Sequence, residues 1–178
     1  MNVLNWIEQH KIIAIVRGVP QDRILPMAQA LFDGGIRLLE ITFDQSSPTG
    51  NRDTGKSIEA LAAAFEGRMC IGAGTVMNRE QVDIAINSGA RYMISPNTDA
   101  TVIQYTKSVG SISIPGAMTP SEIVYAYQLG ADFVKVFPAG TLGEEYIKAI
   151  RAPISHIPLL AVGGIDDQIG RASCGERV

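Results

Sequence analysis

Seven short apolar runs divide the chain at near-regular intervals, and no other feature constrains the fold as much. They are "IIAIVRG" from 12, "LLEITF" from 38, "CIGAGTV" from 70, "YMISP" from 92, "SISIPG" from 111, "FVKVFPA" from 133 and "LLAVGGI" from 159. Successive starts lie 26, 32, 22, 19, 22 and 26 residues apart. Each run is rich in β-branched or large apolar residues and is closed by glycine, proline or polar residues, so each reads as a buried strand. Between them lie segments of helical spacing. "TPSEIVYAYQLGA" (119–131) opens on a threonine cap with proline at the first helical position and Glu122 three residues after the cap. "NREQVDIAINSGA" (78–90) starts at an asparagine cap and stops at Gly89, and "QDRILPMAQALFDGG" (21–35) ends in two glycines, with Pro26 in its first turn or bending it.

Strand alternating with helix at this repeat predicts βαβ units and a parallel sheet. An open doubly wound sheet and a closed (β/α)8 TIM barrel compete. Arg17, Glu40, Thr75 and Lys135 fall within or at the C-terminal ends of four different strands. Barrel enzymes place their chemistry there, whereas an open sheet would show one glycine-rich loop at a switch point. The barrel is the better reading. "VLNWIEQH" near the start predicts a short helix closing its bottom.

A complete barrel needs eight strands, and seven are legible. The ending "DDQIGRASCGERV" reads as neither a helix with an apolar face nor an eighth strand, and "QIGRASCGERV" resembles the translation of a synthetic adapter. The expectation is an incomplete barrel over residues 1–167, C-terminally truncated before helix 7, strand 8 and helix 8, followed by a foreign tail at 168–178. The alternative is an ordinary polar tail.

Composition narrows the class. The chain of 178 residues is 46% hydrophobic, enough for one sizeable core. A net charge of −3 offers no basic surface to nucleic acid or an anionic membrane. Two cysteines are too few for a disulfide framework, Cys70 reading as a small core residue. No cationic leader with a long apolar stretch opens the chain, and no run approaches a membrane span, so a cytoplasmic location is expected. His10 and His156 lie outside the strand ends with no cluster at metal-ligand spacing, and "GAGTV" lacks the full dinucleotide pattern.

Lys135 is the residue that asks for a role. Alternation puts Phe133, Lys135 and Phe137 on one face of their strand and Val134 and Val136 on the other, so in a barrel the valines meet the helices and Lys135 enters the lumen. Desolvation there favours the neutral amine, the form that condenses with a carbonyl. A lysine paired with a carboxylate or reaching the rim is the structural alternative. Glu40 is also placed in the lumen by the alternation of "LLEIT". A buried pair of this kind is often no more stable than packed apolar residues, so its presence hints at use.

"EIT" (40–42), "GAGTV" (72–76), "ISP" (94–96), "PGAMTPSE" (115–122), "KVFPAG" (135–140) and "VGGI" (162–165) occur in one order and spacing. Together they resemble the 2-keto-3-deoxy-6-phosphogluconate/4-hydroxy-2-oxoglutarate aldolase family over residues 3 to about 166. The resemblance implies a class I aldolase without cofactor or metal, acting on a small keto acid, cytoplasmic, and a homotrimer when full-length. It implies Lys135 as the Schiff-base lysine, Glu40 as general acid/base and Thr75 near the pyruvyl carboxylate. Pro96 and Phe137 would wall the pyruvate moiety, and Gly163 and Gly164 would contact phosphate.

Some family members hold the carboxylate with an arginine four residues after the glutamate, where this chain has Asp44; others use an arginine at the end of strand 1, which Arg17 matches. The polar stretch 44–55 is expected as a long loop, a lid with Arg52 or Lys56 reaching the substrate or a merely solvated segment. "SPNTD" (95–99) and "AGTLGEEYIKAI" (139–150) also resemble the related 2-keto-3-deoxy-6-phosphogalactonate aldolases. A non-catalytic phospholigand-binding barrel is the rival reading, as is a fragment inactive for want of strand 8.

Overall fold

The computed structural model describes residues 2–166. A first helix, α1 (Val3–His10), precedes β1 (Ile13–Val16), α2 (Gln21–Asp33), β2 (Leu38–Thr42), α3 (Gly50–Ala64), β3 (Cys70–Gly74), α4 (Arg79–Asn87) and β4 (Tyr92–Ile94). There follow α5 (Ala100–Ser108), β5 (Ile112–Ile114), β6 (Gly116–Ala117), α6 (Pro120–Gln128), β7 (Val134–Val136), α7 (Ala139–Leu142), α8 (Glu144–Arg151) and β8 (Leu159–Ala161). All strand pairs are parallel, in the orders β1-β2-β3-β4-β5 and β6-β7-β8. The fold is the α/β barrel class expected.

The run from 111 yields two short strands, because Pro115 has no N–H to give and breaks the ladder. Seven strand positions therefore appear as eight strands. Among the described residues β1 and β5 end the first sheet and β6 and β8 the second, β5 and β6 being joined directly through Pro115, and Ile15 on β1 is 46% exposed. The expectation that the chain is truncated after the seventh strand run, and the reading of residues 168–178 as a foreign tail, lie outside the described residues.

Alternation along the strands separates two interiors. Leu39, Ile41, Ile71, Ala73 and Met93 pack outward against helix residues such as Ile24, Ala28, Ile58, Leu61 and Val82. Val134 and Val136 meet Ile123 and Ala126 of α6 and Ile147 and Ile150 of α8, as their alternation predicts. The opposite faces fill the lumen: Leu38, Cys70, Tyr92, Ile94, Ile114 and Phe133 form one cluster with Val3 and Ile7 of α1. The opening helix plugs the bottom of the barrel.

Caps mark where the helices begin. Thr119 and Glu122 exchange side-chain and backbone hydrogen bonds in a full capping box, and Asn78 Oδ1 accepts from Gln81 N at 2.9 Å. Such caps are worth about 1 kcal/mol each. Pro26 is carried inside α2, past its first turn. The expected loop at 44–55 is corrected: α3 already starts at Gly50. Its first turn is fixed by Thr49 Oγ1 donating to Asp53 at 2.6 Å, and a Cβ on Gly50 would overlap the Asp44 carbonyl.

Candidate active site

The C-terminal ends of β2, β3 and β7 converge on one lumen site. Lys135 is 6% exposed and Glu40 2% exposed. Glu40 lies in register with Gly72 on one side and Ile15 on the other, and Lys135 is in register with Gly116. The glycines of "GAGTV" exist for the lumen's other occupants. A Cβ on Gly72 would overlap the Tyr92 ring, and one on Gly74 would overlap the Glu40 carboxylate. Tyr92 is fixed in turn by its hydroxyl, which donates to the Leu39 carbonyl at 2.6 Å.

The charges are buried but not consumed. Among the described residues neither the Lys135 nor the Glu40 side chain makes a hydrogen bond or a contact ion pair, and the Thr106 hydroxyl is the one unpartnered polar side-chain atom sealed from solvent. Lys135 Nζ and the Glu40 carboxylate are thus not committed to a protein partner among the described residues. Burial pushes the Glu40 carboxyl up from its ordinary pKa, an effect opposed by Lys135 and then Arg17. Burial pushes the Lys135 amine down, Glu40 opposes that shift, and Arg17 adds to it. Both groups move toward their neutral forms, which suits exchange of a proton.

Arg17 follows β1 directly and is exposed. Its field reaches Glu40, Lys135 and Asp44, and among the described residues it has no contact ion pair. Phe137 is 39% exposed, and Lys135 Nζ lies 4.8 Å from its ring centroid, so the two share a face as alternation required. Pro96 is half-buried at the end of β4, with its carbonyl against the backbone of Gly116. Thr75 ends β3 with φ +56°, and its hydroxyl has no partner among the described residues.

Gly163 and Gly164 follow β8 with φ +86° and +69°. Gly140 N donates to the Gly163 carbonyl at 2.7 Å, while the N–H groups of Gly163 and Gly164 donate to no group among the described residues. Successive free N–H groups of this kind suit an anion. Arg52 turns away from the lumen to Asp53 at 3.3 Å, and Lys56, on α3, is exposed. Sequence reasoning missed a buried amide, Gln81, whose bonds reach Thr75 through Gln45.

A desolvated amine and a carboxyl in the lumen of a parallel α/β barrel are groups able to act on a carbonyl. The family described as "KDPG and KHG aldolase" matches residues 3–171. The chain belongs to that family and is an aldolase, a carbon–carbon lyase. It is 34% identical to the 2-dehydro-3-deoxy-6-phosphogalactonate aldolase of Escherichia coli strain K12 over 163 residues, covering 91% of this chain and 77% of that one. It is 31% identical to the 2-dehydro-3-deoxy-phosphogluconate aldolase of Treponema pallidum, covering 93% and 76%. A solved "Native KDPGal structure" superposes with a TM-score of 0.81 at 35% identity over 91% of this chain and 78% of that one. The KDPG aldolase of Legionella pneumophila, with pyruvate captured as a covalent carbinolamine, superposes at 0.78 with 30% identity over 89% and 74%.

Proposed function

We propose that this protein cleaves a 2-keto-3-deoxy acid to pyruvate and an aldehyde by class I chemistry on Lys135. One observation carries the reading: a lysine in mid-strand, desolvated in the lumen, beside a carboxyl that it does not neutralise in a contact pair. The neutral amine adds to the C2 carbonyl. Glu40 supplies the proton with which the carbinolamine oxygen leaves as water. The C3–C4 bonding pair then flows into the iminium as the C4 hydroxyl gives its proton to the Glu40 carboxylate, releasing an aldehyde and leaving an enamine that Glu40 can reprotonate. Protonation at C3 and hydrolysis free pyruvate and regenerate the amine.

Arg17 clamps the substrate carboxylate, helped by the Thr75 hydroxyl, and Pro96 and Phe137 exclude water beside the pyruvyl carbons. Gly163 and Gly164 favour a 6-phosphorylated sugar acid over 4-hydroxy-2-oxoglutarate, because their N–H groups stand free for an anion. Relatives named for the gluconate and for the galactonate substrate both match this chain, and either epimer fits these roles. A cytoplasmic, homotrimeric enzyme is part of the same reading. Among the described residues no helix is long and apolar enough to cross a membrane.

Pyruvate with borohydride is expected to add a single pyruvate-sized mass to the protein, on the peptide carrying Lys135, and Lys135→Met is expected to abolish it. Label on another lysine, such as the helix-surface Lys148 held by Glu144 and Glu145, would overturn the assignment. Absence of any adduct would favour a barrel that only binds its ligand.

A further inference from the structure

Thr75 is β-branched yet sits in the left-handed region at φ +56°, where such side chains are genuine outliers. A conformation of this kind persists only where the surroundings over-determine it. From one side the restraint is the sheet: Val76 N donates to the Ile94 carbonyl at 3.1 Å, and Ser95 Oγ donates to the Val76 carbonyl at 2.6 Å. From the other side it is a chain of amides. Gln45 Nε2 donates to the Thr75 carbonyl at 2.9 Å. Gln45 Oε1 accepts from Gln81 Nε2 at 3.1 Å.

Gln81 is 2% exposed, unusual for an amide in the first turn of a polar helix. Both ends of its side-chain amide are used. Oε1 accepts from Met77 N at 2.8 Å, and Nε2 donates a second bond to Asn51 Oδ1 at 3.1 Å. One side chain therefore ties the loop after β2, the first turn of α3 and the loop after β3 into a single unit. A group held at both ends in this way is rigid, and losing one partner strands the others.

We infer that Gln81 is a positioning residue, which acts through Gln45 to hold Thr75 in the backbone conformation that presents its free hydroxyl to the keto-acid carboxylate. The inference rests on the reading of Thr75 as a substrate contact. Gln45 is exposed, so its side chain contributes little to the core, and it is the link to cut.

The test is steady-state cleavage by the full chain carrying Thr75→Val, Gln45→Ala, Gln81→Leu, and the double variant Gln45→Ala/Thr75→Val. Thermal unfolding is followed in parallel. Loss of a hydrogen bond to a charged group should raise KM about tenfold in Thr75→Val. Gln45→Ala should raise KM in the same direction with kcat little changed and an unfolding midpoint near that of the parent. The double variant should be no worse than Thr75→Val alone, because both remove one interaction. Gln81→Leu should do the same at lower stability. If Thr75→Val raises KM while Gln45→Ala does not, or if their effects add, the relay is overturned and the Thr75 contact survives. If Thr75→Val leaves KM unchanged while Lys135 still traps pyruvate, the Thr75 contact falls and the relay falls with it.

Discussion

At Lys135 two charges act with opposite signs, and this makes its titration a readout of the whole site. Glu40 raises the pKa of the amine, and Arg17 lowers it, both against a background of burial that lowers it. The reactive form is the neutral one, so adduct formation should rise with pH through a midpoint below the ordinary lysine value. Removing the anion by Glu40→Gln should shift that midpoint down. Removing the cation by Arg17→Met should shift it up. The measurement is the rate of pyruvate adduct formation against pH, read from the midpoint because both variants also lose amplitude. Shifts of the same sign would show that the two charges do not flank this amine. Lys135 and Glu40 were legible in the sequence because a charge in a short apolar strand is costly and therefore conspicuous. Arg17, Thr75, Pro96, Phe137, Gly163 and Gly164 took their roles from a family likeness, and all six stand just beyond the C-terminal ends of strands. Gln81 and Gln45 gave no such signal. An amide on a polar helix and another in a polar loop look solvated until the fold closes over one of them.

At the scale of elements, the strands were legible through their apolar runs and the capped helices through their end residues. The start of α3 was not, because "SSPTGNRDTG" carries two glycines and a proline, and its helical turn is held by tertiary contacts. Gly50 lies against Asp44, and Gly55 against Ile84 and Ser88 of the α4 region. Strand β3 shows how an element serves the site through what it lacks. Gly74 has no left-handed φ, so its backbone accepts alanine, but the added methyl would occupy the space of the Glu40 carboxylate. Gly74→Ala should therefore fold and yet turn Glu40 out of place, with a loss of about 100-fold in kcat, since misplacement of a reacting group by about 1 Å costs that much. Turnover and thermal unfolding measured together check it. Parent-like turnover would mean that Glu40 moves aside without consequence and is not the proton carrier.

Over the whole molecule the lumen is graded from apolar to reactive. The N-terminal ends of β2, β3 and β4 contribute Leu38, Cys70 and Tyr92, sealed below by Val3 and Ile7. Burial in that layer pushes the Cys70 thiol up to about 11, so it is an inert core group there. One layer higher stand Glu40 and Lys135, and above them the half-buried Thr75 and the exposed Arg17 and Phe137. Barrels of this class divide labour in the same way, with stability at the bottom face and chemistry at the top. The division can be tested from the bottom. Ile7 is 3% exposed and packed within the lumen cluster, so Ile7→Ala leaves a cavity costing about 2–5 kcal/mol. Against a total stability of about 5–15 kcal/mol that is a large fraction, and the unfolding midpoint should fall by many degrees. Below the new midpoint, the rate of pyruvate adduct formation at Lys135 and its pH midpoint should stay at parent values, because Ile7 packs in the apolar bottom layer with Leu38, Cys70 and Tyr92. A variant that keeps its stability would show that α1 does not plug the barrel. One that loses stability and also shifts the Lys135 midpoint would show that the bottom layer sets the electrostatics above it, and that packing and chemistry in this lumen are one system.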